Sequence, residues 1–116
     1  MIKNLWKEVN FYCSYRHEYP VKMEFNQGPH SLFYSCPKYY PQNRTADEPA
    51  CPMRLNLVDA EAIVEKLSQV IESDIENNVE RNYRGYEFDY KMIHAKVIKY
   101  APGEINIDIF NKKAIR

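Results

Sequence analysis

Five side chains in the first half of the chain could ligate a metal: Cys13, His17, His30, Cys36 and Cys51. Structural zinc takes four nitrogen or sulfur ligands, and three cysteines with one histidine form an accepted set. Cys13 and His17 have three residues between them and can share a turn, whereas fourteen residues separate Cys36 from Cys51. The expected ligand set is therefore Cys13, His17, Cys36 and Cys51, with His30 as the alternative histidine. Cys36 and Cys51 are each followed by proline, in Cys36-Pro37 and Cys51-Pro52. That order fits a tight turn whose next N–H groups are free to face the sulfur. No C-x-x-C spacing is present, so buried free thiols, which behave as small hydrophobes, are the competing reading.

A second group of residues suggests nucleic-acid chemistry. Lys38, Tyr39, Tyr40, Arg44 and Arg54 interleave aromatic and basic side chains. Stacking on rings together with phosphate contacts is how proteins hold single strands without sequence preference. The bland alternative is that Tyr39 and Tyr40 pack over the proline-rich loop. No enzyme site is legible. Cys13 beside His17 is a nucleophile–base pair by proximity alone. The chain has only three glycines and no phosphate-cradling loop. Glu87 and Asp89 fall in an alternating segment whose polar side faces solvent.

Charge bounds the partners. The formal net charge is zero, which excludes a strongly basic nucleic-acid binder and confines any such contact to a local patch. Residues 1–56 hold seven Lys/Arg and five Asp/Glu, residues 57–82 two and seven, and residues 83–116 seven and four. This split, with ten tyrosines, also suits a protein–protein interaction module without metal, the alternative function.

The elements that must position these residues read as an α+β domain, with 1–116 as a single domain. Short antiparallel strands are expected in the N-terminal half, near residues 5–15, 21–25 and 31–36. Residues 37–53 carry four prolines and read as a loop. One amphipathic helix is expected over about 57–80. It would begin near Asn56 or Asp59 and be capped by Asp59, with Ile63, Leu67, Val70, Ile71, Ile75 and Val79 inward and Glu65, Glu72, Asp74, Glu76 and Glu80 outward. A C-terminal β-hairpin is expected over about 86–110. The apolar phase slips from Tyr86, Phe88 and Tyr90 to Ile93, Ala95 and Val97, which predicts a β-bulge near Met92–Ile93. The tail from Asn111 is expected to fray.

The segment from Gly28 to Pro41, followed by Cys51, resembles the second half of a topoisomerase-type zinc ribbon. Its aromatic strand Leu32-Phe33-Tyr34 enters Cys36 and is followed by Tyr40-Pro41. Cys13, then Tyr19-Pro20-Val21-Lys22-Met23, is similar to the first half, with Arg16 or His17 where that family has its second cysteine. The resemblance covers about residues 11–54. It departs from the family in one missing cysteine and in a longer Cys36–Cys51 gap. It implies a ribbon-like part, residues 1–56, that contacts single-stranded nucleic acid. The whole chain also resembles small proteins carried on conjugative elements of Gram-positive bacteria. The start, MIKNLWKEVNFY, lacks an apolar leader core, and no stretch reaches membrane-spanning length. A cytoplasmic protein with no membrane partner is the expectation.

Overall fold

The computed structural model describes residues 6–15 and 17–112. Arg16 and residues 113–116 of the expected frayed tail lie outside the described residues. Asn111, by contrast, pairs with Ile93 at the end of the last strand, and the Lys112 N–H bonds the Met92 carbonyl at 2.8 Å, so the tail is held to that point. Eight strands and one helix follow in the order β1 (Trp6–Cys13), β2 (Val21–Lys22), β3 (Glu24–Gln27), β4 (Leu32–Ser35), β5 (Arg54–Asn56), α1 (Leu57–Glu76), β6 (Glu87–Tyr90), β7 (Ile93–Ala101) and β8 (Gly103–Asn111). This is an α+β fold with two sheets. The larger has the order β2-β1-β8-β7-β6 and the smaller β3-β4-β5.

β8 is the spine of the core. Ile105, Ile107 and Ile109 alternate onto one face and are fully buried. Phe11 lies opposite Ile107 and Cys13 opposite Ile109 on one side, while Val97 and Ala95 flank the same isoleucines on the other. Ala60, Ile63, Leu67 and Ile71 of α1 join this cluster, as do Met23, Met53 and Leu55 from the smaller sheet. The two sheets thus share one core. Among the described residues no helix is long and apolar enough to cross a membrane.

Four expectations need correction. β1 pairs with β8 in parallel, so the larger sheet is mixed rather than a local hairpin beside local strands. The expected strand at 21–25 breaks at Met23, with β2 in the larger sheet and β3 in the smaller. The expected bulge at Met92–Ile93 is a two-residue turn, since Tyr90 pairs with Ile93 and Lys91 takes a positive φ of 53°. Two loop residues between paired strands shift the alternation by one, which mimics a bulge in the sequence. An irregularity does occur, but between Val97 and Lys99. Finally, residues 54–56, left unassigned between the expected loop and helix, form β5, which pairs with β4.

The helix is shorter than expected and its apolar stripe ends early. Asn56 is its N-cap residue but makes no side-chain capping bond, and Asp59 lies inside the first turn. Asn78 at φ 54° turns the chain away after Glu76. Ile75 and Val79 are consequently exposed. Asp74, expected outside, is buried instead. Arg81 donates to both its oxygens, Nε to Oδ2 at 2.7 Å and Nη2 to Oδ1 at 3.0 Å, and the Tyr83 hydroxyl donates to Oδ2 at 2.8 Å. A carboxylate near a helix C-terminus is disfavoured by the dipole, so these donors are what keep it there.

Arg81 first, and Tyr83 after it, hold the Asp74 carboxyl below the usual carboxylate range. The native state therefore binds fewer protons than the unfolded chain. The stabilisation is complete above the unfolded value of about 4 and is lost as the pH falls through the lower native value. Asp74→Asn should melt at a lower temperature than the parent at pH 7, with the gap closing as both are acidified below pH 4. Equal gaps at pH 7 and pH 3 would show that Asp74 is not ionised in the fold.

Candidate metal centre

Three segments that share no regular strand pairing with one another converge at one end of the core. Cys13 is the last residue of β1 and pairs with both Val21 and Ile109. The His17 N–H bonds the Ser14 carbonyl at 3.3 Å, closing a turn that folds the histidine back beside Cys13. Cys36 leaves β4 in an extended conformation and begins the 3-10 turn Pro37–Tyr39. Cys51 lies in the chain that returns to β5. Two main-chain bonds hold these last two segments together: Cys36 N–H to the Met53 carbonyl, and Cys51 N–H to the Lys38 carbonyl, each 3.2 Å.

The result is a cluster of Cys13, His17, Cys36 and Cys51, whose ligand atoms all lie within 4.8 Å of one another. Cys13 Sγ and Cys51 Sγ are 3.6 Å apart, and Cys36 Sγ is 3.3 Å from His17 Nε2. A disulfide needs about 2.05 Å, and all three cysteines are free and buried. These four residues could hold a metal ion. His30 is exposed in the turn before β4, outside the cluster.

Each sulfur also receives a backbone hydrogen bond from the residue two positions on: Tyr15 for Cys13, Lys38 for Cys36 and Met53 for Cys51. In the last two loops the intervening residue is proline, as the sequence pattern anticipates. The three thiols compete for protons. Cys13 is pushed up by hydrogen bonds with Cys36 and Cys51 and by burial. Cys51 is held far down because Cys13 and Cys36 both donate to it, with help from Met53 N–H and His17. Three sulfurs and one imidazole converging in a largely buried pocket form a donor set suited to a soft cation. A cleft of about 130 Å³ between Tyr15, His17, Glu48 and Cys51 opens beside it. His17, half-buried, is the cluster's solvent side.

The aromatic and basic residues divide into two sets. Tyr39, Tyr40 and Arg54 line one groove of about 210 Å³ with Phe33, Ser35 and Met53. The Arg54 guanidinium lies over the Phe33 ring at 3.7 Å from its centroid. Tyr39 and Tyr40 meet edge to face at 5.4 Å. Lys38 and Arg44 instead serve the loop itself. Lys38 pairs with Glu48 at 3.5 Å, and Arg44 donates to the Tyr40 and Glu48 carbonyls. Phe33, expected only as part of the aromatic strand entering Cys36, is thus a wall of the groove as well. The register Ser35↔Arg54 puts Phe33 beside Arg54, but that is visible only once β5 is known to pair with β4.

Comparison with known proteins finds no matching family model, no matching curated protein and no matching solved structure.

Proposed function

We propose that this chain is a non-enzymatic, zinc-containing domain that associates with single-stranded nucleic acid. Four observations support zinc. Tetrahedral zinc with sulfur at about 2.3 Å sets its sulfurs about 3.8 Å apart, with sulfur–nitrogen edges somewhat shorter. The 3.6 Å and 3.3 Å separations are close to those edges. Thiolate and imidazole ligands select zinc over magnesium or calcium. The N–H bonds to sulfur supply the supporting shell that ligating groups need. Four protein ligands leave no open coordination position, which is the pattern of a structural rather than a catalytic site. The cytosol, where thiols stay reduced, suits three unpaired cysteines.

The observation that carries the binding half is continuity. Both ligand loops run straight into the groove walls, Cys36-Pro37 into Tyr39 and Tyr40, and Cys51-Pro52 into Met53 and Arg54. The ion would thus set the spacing between the rings and the guanidinium. The likeness of residues 11–54 to a zinc ribbon supports the same reading, and the resemblance of the whole chain to small proteins of conjugative elements suggests the setting, an accessory of a mobile genetic element.

Anisotropy of a labelled twelve-nucleotide oligo-dT at low salt tests the groove. Arg54→Ala and Tyr39→Ala should each weaken binding about tenfold, the scale of one base–ring stack. Lys38→Ala should change it little. No binding by the metal-loaded protein, or affinity indifferent to Arg54 and Tyr39, would reject nucleic acid as the ligand.

A further inference from the structure

Away from the metal cluster, β1 presents an edge that the fold leaves open. β2 pairs with β1 only at Tyr12 and Cys13. One further bond, Met23 N–H to the Phe11 carbonyl at 2.8 Å, continues that edge. The chain then departs, and Glu24 begins β3 in the other sheet. Main-chain groups alternate sides along a strand. Because the Phe11 carbonyl faces outward, the N–H and C=O of Val9 face outward too, and among the described residues no strand covers them. A register shift between Trp6 and Glu8 ends the regular stretch on the other side.

The same residue borders an apolar cleft. A hollow of about 300 Å³ lies between β1 and α1, lined by Val9, Phe11, Tyr34, Ala60 and Val64, with Glu61 and Glu65 at its rim. Phe25, half-exposed, stacks edge to face on Tyr34 and extends the apolar surface. Glu61 and Glu65 are exposed, and neither makes an ion pair with a described residue. They sit in the most acidic stretch of the chain, residues 57–82.

We propose that the Val9 edge and this cleft form a docking site for an extended peptide of a partner protein, with one apolar side chain and, two residues away, a lysine or arginine. An open strand edge offers hydrogen bonds to any extended backbone, while pockets for alternate side chains give the specificity. Side chains two apart in a strand point to one face about 7 Å apart. One would fill the cleft, and the next on that face would reach the carboxylates of Glu61 and Glu65, which are one helical turn apart. The site shares no residue with the metal cluster or with the aromatic groove.

The test uses the full chain and a labelled acetyl-Thr-Thr-Leu-Thr-Lys-Thr-Thr-amide. Saturable binding is expected with a dissociation constant on the order of 100 µM, the range of a small transient contact. The double variant Glu61→Lys/Glu65→Lys should lose at least tenfold on this peptide. It should gain affinity for the matching peptide with glutamate in place of lysine. Both positions are exposed, so the variant should keep the parent's circular dichroism and melting temperature. No saturation at millimolar peptide, or affinity unchanged by the charge swap, overturns the proposal. Sedimentation showing a dimer that the double variant dissociates also overturns it, by assigning the edge to a second copy of the chain.

Discussion

Cys36→Ser should strip the metal from the protein. The parent, purified without chelator, should carry about one zinc per chain with thiols that react only after chelation. The variant should carry less than a tenth of that. Cys36 is fully buried, and its sulfur is held between Lys38 N–H and His17. A serine hydroxyl there stays protonated and offers a poor ligand. The consequence for stability is large because residues 37–53 have little else. They form two 3-10 turns and no strand. Zinc binding in small fingers is worth about 10–16 kcal/mol at neutral pH, and it is expressed as folding. The β8–α1 core lies largely outside the cluster and should persist without metal, so only part of that is at stake. A few kcal/mol is still a large fraction of a domain's total of about 5–15. The melting temperature should fall by at least about 10 °C, and proteases should cut between Pro37 and Met53 in the variant alone. His17→Ala should be milder, since three thiolates remain. Metal-free parent protein with freely reactive thiols would reject the zinc site while leaving the peptide-docking edge untouched.

Leu67→Ala should cost about 2–5 kcal/mol in urea unfolding. Leu67 is fully buried on the inward face of α1, in one cluster with Ile105, Ile107 and Ile109. Truncation removes apolar burial and leaves a cavity that the facing sheet cannot close. Ile75→Ala is the informative contrast. The helical spacing places Ile75 on the same stripe, but it is 67% exposed because the helix ends one residue later. Its loss should stay within about 0.5 kcal/mol. Similar costs at both positions would mean that the helix continues past Glu76 in solution.

The difference between those two residues illustrates what periodicity carries. Spacing in a helix reports which side chains share a face, and Ile63, Leu67 and Ile71 were legible on that ground. It does not report where the partner surface stops, so Ile75 and Val79 were placed in the core, and Asp74 was placed outside it. The cysteines and His17 were legible by type, by the close Cys13–His17 spacing and by the two cysteine-proline turns. The Phe33–Arg54 stack was not, because it depends on a three-residue strand squeezed between a proline-rich loop and the helix. The pairing of β1 with β8 was hidden for a different reason. Strand partners far apart in the chain leave no local signature, and parallel pairing lacks even a connecting turn to mark it.

That pairing has a consequence for how the protein comes into being. Asn10 and Asn106 share a hydrogen bond across 96 positions of sequence. At about 5–20 residues per second, the first strand of a growing chain waits roughly 5–20 s for the strand that pairs along its length. During that interval Cys13 has neither its ladder to Ile109 nor the isoleucine layer that buries it. If the proposed zinc site forms, capture of the ion would therefore wait until β8 has been made, and a nascent chain stalled before β8 would leave Cys13 without the strand that covers it.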